Sequence, residues 1–382
     1  MPRPASTSFG KVAVERRNTA VDFPETASDS PENVLESDDG GLENQISLID
    51  GLYEKAGLVR SLRKKSARVV QHARFERATP EELSPVPPHP MGATNGVEWL
   101  RVPGWEGFSW LWGGFSTRRG GVSRAYCGEG APGELNLGLT ADDDRANVLR
   151  NRRLLAEAVT GSADTPLAMV RQIHSSVVVV GGVNSCGSSS SPSKGDGLMT
   201  AEPGVLLGIQ TADCIPVLVA DRKLRAVAAF HAGWRGTVKR IVENGIGRMR
   251  MEFGSRPEDL VAAIGPGIGV CCYAVGEEVL SEFESQFRYG LELFREVYNA
   301  DSVGAQSPMF LTQRAPGHSQ TGPALHLDLV EANRRQLLTA GVKADAIQLV
   351  RACTNCHPEM FFSHRESRGR SGRMLSVVGI RS

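Results

Sequence analysis

The sequence predicts an α+β fold built of mixed α/β layers, and three observations carry that expectation. Short apolar runs VLLGI (Val205 to Ile209), PVLVA (Pro216 to Ala220) and AVAAF (Ala226 to Phe230) follow one another with only polar or turn residues between, as hairpin-like buried strands do. Helical spacing then takes over, with apolar side chains at Val238, Ile241, Val242, Ile246, Met249 and Phe253. Beyond that helix the periodicities alternate irregularly, with LVAAI (Leu260 to Ile264) as a strand and Glu277 to Phe287 as a helix, so the order is not a regular βαβ succession.

Residues 1 to 45 are rich in Ser, Pro, Glu and Asp and poor in large apolar groups. Too little surface can be buried there to offset ordering entropy, which predicts disorder. Ile46, Ile49, Leu52, Tyr53, Leu58, Val59 and Leu62 then predict an amphipathic helix, followed by the basic run RSLRKKSARVVQHARFER that ends at Arg77. That run reads as a solvated basic surface or an adaptor, because no aromatic interleaving of the kind nucleic-acid binding uses accompanies it. TPEELSPVPPHPMGATNG, from Thr79 to Gly96, is a Pro-rich linker that disfavours regular helix. The domain boundary is placed there, with residues 1–92 as an N-terminal extension and residues 93–382 as one catalytic domain. SCGSSSSPSKGDG, from Ser185 to Gly197, is a flexible surface loop between the strands VVVV and VLLGI. Thr237 offers an N-cap to the helix that follows AVAAF, and Asp328 caps a further helix to Ala340 that Gly341 stops.

The charge is balanced, 43 basic against 43 acidic residues, so the net field gives no reason to expect nucleic acid or an anionic membrane as partner. Small molecules are the default ligands. The apolar runs are strand-sized and none approaches a membrane span. The N-terminus has Arg3, Lys11, Arg16 and Arg17 but no apolar h-region, and the expected location is the cytoplasm. Seven cysteines, an odd number spread along a Gly-rich chain, read as reduced thiols rather than a disulfide framework.

Three polar residues stand beside predicted core strands: His174 in RQIHSSVVVV, Cys214 in QTADCIPVLVA and His231 in AVAAFHAGWRG. Imidazole nitrogen and thiolate sulfur suit zinc, and three protein ligands leave a fourth position for water or substrate. The spacing matches no compact zinc finger, so a buried inert cysteine and hydrogen-bonded core histidines remain the other reading of the same residues. Arg235, four residues past His231 on the turn out of the strand, is either a substrate contact or an ordinary surface cation. GPGIGVCC, from Gly265 to Cys272, has valine where a dinucleotide fingerprint needs glycine, so Cys271 and Cys272 read as packing residues. CTNCH, from Cys353 to His357, has the spacing of haem attachment or of half a zinc site, and a second zinc site would need further ligands from elsewhere.

RQIHSS, GDGLMT with QTADCIPVL, AFHAGWRGT, AAIGPGIGVCCYAVGEEV and CTNCHPEMFFSHRESRGRSGRMLSVVGI, in that order, resemble the multicopper polyphenol oxidoreductase or laccase-like family. Members are also described as purine nucleoside phosphorylases and, in bacteria, as a peptidoglycan editing factor. The likeness runs from GGFSTRRGGVS at Gly113 to the C-terminus and leaves the first 92 residues outside it. It implies mixed sheets flanked by helices, with His174, Cys214 and His231 as metal ligands and catalytic groups. It also implies substrate-binding roles for Arg118 in GFSTRR, Asn136 in ELNLG and Arg365 in FFSHR. An Arg fork can clamp phosphate, and Asn can hold a ribose hydroxyl or base edge.

Four-copper laccase chemistry needs many histidines, whereas the chain has eight, of which His72 and His89 lie in the extension; zinc is therefore expected rather than copper. The implied reaction is zinc-dependent phosphorolysis of adenosine, inosine and related purine nucleosides, with phosphate as co-substrate and adenosine deamination as a second reaction. Three alternatives stay open: hydrolytic editing of a peptidoglycan precursor with Cys214 as nucleophile, copper-dependent polyphenol oxidation, and a non-catalytic binding protein.

Overall fold

Strands Ile215–Asp221 and Val227–Ala232 form an antiparallel hairpin whose register pairs Ile215 with Ala232 and Pro216 with His231. The computed structural model describes residues 75–182, 193–297 and 324–382. These fall within one unit, residues 73–382. The hairpin is the centre of a six-stranded sheet with the spatial order Ile347–Leu349, Leu260–Ile264, Ile215–Asp221, Val227–Ala232, Gly197–Thr200 and Val178–Val180. A second six-stranded sheet runs Met91–Gly92, Glu98–Arg101, Leu111–Ser116, Met374–Ile380, Leu206–Thr211 and Leu167–Met169. Both sheets mix parallel and antiparallel neighbours: Leu206–Thr211 pairs antiparallel with Met374–Ile380 and parallel with Leu167–Met169.

Alternation along the strands builds the layers. Leu218, Ala220, Val227 and Ala229 of the first sheet share an apolar core with Phe115, Leu207, Ile209 and Val378 of the second, so the sheets pack face to face. The residues between them, Val217, Val219, Ala228 and Phe230, point to the other face and pack under helices Ile241–Phe253, Glu277–Gln286 and Leu329–Thr339. Helix Arg145–Thr160 covers the far face of the second sheet through Leu155 against Trp112, Leu206 and Val377. The order helices, sheet, sheet, helix explains why VLLGI, PVLVA and AVAAF read as continuous apolar runs: their strands are covered on both faces. Phe230 is fully buried, a burial that stabilises by roughly 1.5–3 kcal/mol. Helix Ile241–Phe253 lies so close above it that a Cβ on Gly245 would stand 2.3 Å from its ring.

The structure departs from the sequence expectations at three places. The helix after AVAAF is two helices, Trp234–Val238 and Ile241–Phe253, broken where Arg240 takes a left-handed φ of 58°. Thr237 is therefore inside the first of them, and its hydroxyl bonds to the Ala232 carbonyl and to Asn333. The Pro-rich stretch holds a four-residue helix, Pro80–Leu83, because Thr79 and Glu82 form a reciprocal capping box and proline is compatible with the first helical turn. Glu76–Ala78, at the end of the basic run, is a strand paired with Phe294–Val297 in a three-stranded sheet completed by Ala324–Leu327. Packed structure thus begins upstream of residue 93. The expectations for residues 1–74 and most of the Ser-rich loop lie outside the described residues. The Asp328 cap, accepting from the Glu331 N–H, and Gly341 at φ 92° are as the sequence indicated. Among the described residues no helix is long and apolar enough to cross a membrane.

Candidate metal centre and active site

The hairpin register sets the site. With Ile215 opposite Ala232, Cys214 comes opposite Gly233 at the open end of the hairpin, two residues past His231. A side chain at position 233 would collide there, because its Cβ would lie 2.8 Å from Cys214 Sγ and 3.3 Å from His174 Cδ2. His174 arrives from a loop rather than from a strand end, between Leu167–Met169 and Val178–Val180, and holds a left-handed φ of 57°. The ligand atoms of His174, Cys214 and His231 all lie within 4.8 Å of one another. The two imidazoles meet edge to face, with centroids 5.0 Å apart.

Asp196, fully buried in the GDGLMT segment, holds two members of the trio in place. Its carboxylate accepts the N–H groups of Ile173 at 3.2 Å, His174 at 3.0 Å and Ser175 at 2.6 Å, and the Ser175 hydroxyl at 2.7 Å. This ring of donors fixes the loop that bears His174. The same carboxylate accepts Nδ1–H of His231 at 2.9 Å, which turns Nε2 toward Cys214 and His174. A carboxylate behind an imidazole in this way selects the tautomer and raises the basicity of the other nitrogen. Burial alone would push the Asp196 carboxyl up, but His231 and the Ser175 donors hold it far below the ordinary carboxylate range.

Cys214 and His231 form a charged pair. Burial would raise the thiol, yet the His231 charge and hydrogen bonds from both histidines bring it down to about 6. Burial would lower His231, yet the Cys214 thiolate and Asp196 push it up to about 9. The site is thus poised as thiolate and imidazolium, the charge distribution that a cation would replace. Asp213, next to Cys214, takes φ 89° and is held by the Thr354 hydroxyl at 2.6 Å and the Arg365 N–H at 2.7 Å.

The trio opens on a cleft of ≈ 410 Å³ whose walls include Arg171, Gln172, Gln210, His364 and Arg373. Gln172 is spent on the Gln210 backbone, donating to its carbonyl and accepting its N–H, both at 2.8 Å, so this wall is fixed. Tyr273 lies within electrostatic reach of Cys214, Arg365 and Arg235; burial and the Cys214 charge raise its hydroxyl.

The substrate residues expected from the sequence are divided by the structure. Arg365 stacks over Tyr273 and its guanidinium donates to the Ala274 carbonyl at 3.1 and 3.2 Å. Arg235 is exposed and lies over Trp234. Asn136 is buried and fully employed: it donates to Gly138 and Asp143 and accepts from the N–H groups of Gly138 and Arg373. It positions Arg373 rather than facing the cleft. Arg118 lines a separate cavity with Tyr126 and Phe362; it is paired with Glu134 at 2.7 Å, bonded to the Pro358 carbonyl and stacked on Phe362. The structure does not bring it to the trio. Asp196, Arg373 and His364 are the groups that sequence reasoning left without a role, although GDGLMT and FFSHR contain the first and last of them.

Residues 113–381 match the family described as multi-copper polyphenol oxidoreductase laccase. The chain is 36% identical over 269 residues to a purine nucleoside phosphorylase of Bacteroides thetaiotaomicron, covering 69% of this chain and 90% of that protein. It is 33% identical over 269 residues to the adenosine deaminase RL5 of an unknown prokaryotic organism, covering 69% of this chain and 92% of that protein. The crystal structure of YlmD from Geobacillus stearothermophilus superposes with a TM-score of 0.60 at 32% identity, covering 78% of this chain and 100% of that one.

Proposed function

This chain belongs to the multi-copper polyphenol oxidoreductase laccase family, and on that footing we propose that it is a zinc-dependent purine nucleoside phosphorylase whose metal is held by His174, Cys214 and His231. The observation that carries the proposal is the trio itself: two imidazoles and a low-lying thiolate within 4.8 Å, one imidazole backed by a buried carboxylate, opening on a cleft. Three ligands with a free side are the pattern of a catalytic zinc site. The donor set fits zinc better than a four-copper oxidase, because the second metal-sized cluster among the described residues is made of cysteines alone. The cleft volume of ≈ 410 Å³ lies within the range of small-molecule sites. The names of the relatives, purine nucleoside phosphorylase and adenosine deaminase, supply the substrate class.

Zinc held there supplies a Lewis acid and lowers the pKa of water, which suits the deaminase reading of the same cleft. Phosphorolysis asks for more from the chain's own groups. A phosphate oxygen must reach C1′ while the bond from C1′ to the purine breaks, and the base leaves with the electron pair and takes up a proton. Arg373 and Arg171 are the cleft arginines whose charge fits the phosphate. Arg373 is oriented by Asn136, and its guanidinium is braced on the Ser371 carbonyl at 2.6 Å. His364 is the cleft imidazole outside the trio, and its chemistry fits proton donation to the leaving base. The test is metal analysis of the purified chain combined with product identification on a panel of purine nucleosides. Phosphate-dependent release of free base supports the proposal. Inosine from adenosine without base release would favour the deaminase reading.

A further inference from the structure

Away from the cleft, four more cysteines converge. The Sγ atoms of Cys271, Cys272, Cys353 and Cys356 all lie within 4.8 Å of one another, with 3.3 Å between Cys272 and Cys356 and 3.5 Å between Cys271 and Cys356. The separations of 3.3 and 3.5 Å are too long for a disulfide and lie within about 0.5 Å of the edge of about 3.8 Å that a tetrahedron with zinc to sulfur bonds near 2.3 Å requires. The C-x-x-C spacing of Cys353 and Cys356 is half of such a site, and the turn carrying Cys271 and Cys272 supplies the other half.

The surroundings are those of a closed site. Cys271 and Cys353 are buried, Cys272 and Cys356 half-buried, and Ile268, Leu83 and Tyr273 pack around them. The Gly269 N–H donates to Cys353 Sγ at 3.2 Å, the kind of contact that supports a thiolate. A Cβ on Gly269 would come within 3.0 Å of Cys271 Sγ, so glycine there leaves room for the sulfurs. His357, the last residue of CTNCH, turns away to Glu359 and the Pro85 carbonyl. The two loops are already joined through backbone bonds: Gly267 N–H to the Ala352 carbonyl at 3.3 Å and Thr354 N–H to the Gly267 carbonyl at 3.0 Å.

We propose that Cys271, Cys272, Cys353 and Cys356 form a second, structural zinc site, a closed tetrathiolate that clamps these two loops together. Loading exchanges four thiol protons for one divalent cation, with no change of oxidation state. The clamped loops are the ones that hold Asp213 beside Cys214: the Ile268 N–H donates to the Asp213 carbonyl at 2.7 Å, and the Thr354 hydroxyl to its carboxylate at 2.6 Å. The structural site therefore braces the backbone that presents Cys214 to the cleft.

The test uses the full chain purified from zinc-supplemented cells. Elemental analysis should find about two zinc ions per chain in the wild type, and about one in each of Cys214→Ala and the Cys353→Ser/Cys356→Ser double variant. X-ray absorption of the Cys214→Ala protein, in which the cluster is intact, should show a zinc shell of sulfur alone. That second measurement decides the matter even where the double variant fails to fold. A metal-free Cys214→Ala protein, a shell that mixes nitrogen with sulfur, iron in place of zinc, or disulfides among the four cysteines would each overturn the proposal.

Discussion

Asp196 and His231 are joined twice, by the Nδ1–H of the imidazole to the carboxylate at 2.9 Å and by the His231 N–H to the Asp196 carbonyl at 2.7 Å. Because the same carboxylate also gathers the N–H groups of residues 173 to 175, it sets the positions of His174 and His231 relative to each other. Replacing Asp196 by Asn removes one acceptor and the negative charge while keeping the volume. Zinc affinity is expected to fall roughly 10–100-fold, as for other partners of metal-bound histidines. Competition against a chromophoric chelator measures it, and unchanged affinity would show that the carboxylate does not serve the site.

Metal loading should release protons in a pH-dependent number. Between about 6, to which Cys214 is lowered, and about 9, to which His231 is raised, the metal-free site holds a thiolate and an imidazolium. Zinc must then displace only the Nε2 proton of His231, so this pair releases about one proton per zinc ion. Below the Cys214 value the thiol proton is displaced as well, and affinity falls as pH drops. Titration calorimetry in buffers of different ionisation enthalpy counts the protons. A release from this pair that is the same below, within and above this window would contradict the charged pair.

Gly233 adopts φ −69°, which any residue tolerates, so the effect of Gly233→Ala is steric alone. A methyl 2.8 Å from Cys214 Sγ must push the sulfur away from the two imidazoles. Turnover is expected to drop at least tenfold and zinc content by about one ion per chain, that of the trio, while far-ultraviolet circular dichroism stays that of the parent. Full occupancy in this variant would place the metal elsewhere.

Arg118 and Arg373 should separate cleanly. Arg118 neutralises Glu134, whose carboxyl is pushed up by burial and pulled back by that guanidinium. Arg118→Ala strands a largely buried charge and should destabilise the fold by on the order of 3 kcal/mol, less at acidic pH where Glu134 takes up a proton. Arg373→Ala should instead raise the KM for phosphate with a smaller effect on stability. Denaturation curves and initial rates on both variants check this, and the reverse pattern would return Arg118 to the substrate.

Truncation locates the edge of the folded unit. Removing residues 1–74 leaves the pairing of Glu76–Ala78 with Phe294–Val297, whereas removing residues 1–92 deletes that strand, the capped turn at Pro80–Leu83 and the Met91–Gly92 edge. The longer deletion should melt several degrees lower. Equal melting temperatures would make these contacts unimportant.

Much of the core was legible because both faces of the central strands are covered, so PVLVA and AVAAF announce themselves without alternation. The trio was legible because its residue types suit a metal beside the core strands and because RQIHSS, QTADCIPVL and AFHAGWRGT carry the family resemblance; the spacing alone left core histidines and an inert cysteine open. Asp196 escaped notice because a buried carboxylate in a Gly-rich turn looks like an ordinary turn residue; its role depends on the loop at 173 to 175 wrapping around it. Substrate roles for Arg118 and Asn136 were implied by the family resemblance of GFSTRR and ELNLG, but partners far along the chain, Pro358 for one and Arg373 for the other, engage them in the structure. The four-cysteine cluster was hidden for a related reason: its halves lie more than 80 residues apart, as the separation of 84 between Cys272 and Cys356 shows.

Chromatography of inosine incubated with the zinc-loaded chain, with phosphate present or omitted, tests the central claim most directly. The account predicts hypoxanthine and ribose 1-phosphate only when phosphate is present, and no conversion by Cys214→Ala. Failure of both inosine and adenosine to yield free base under zinc-replete conditions, or undiminished turnover by Cys214→Ala, would contradict it.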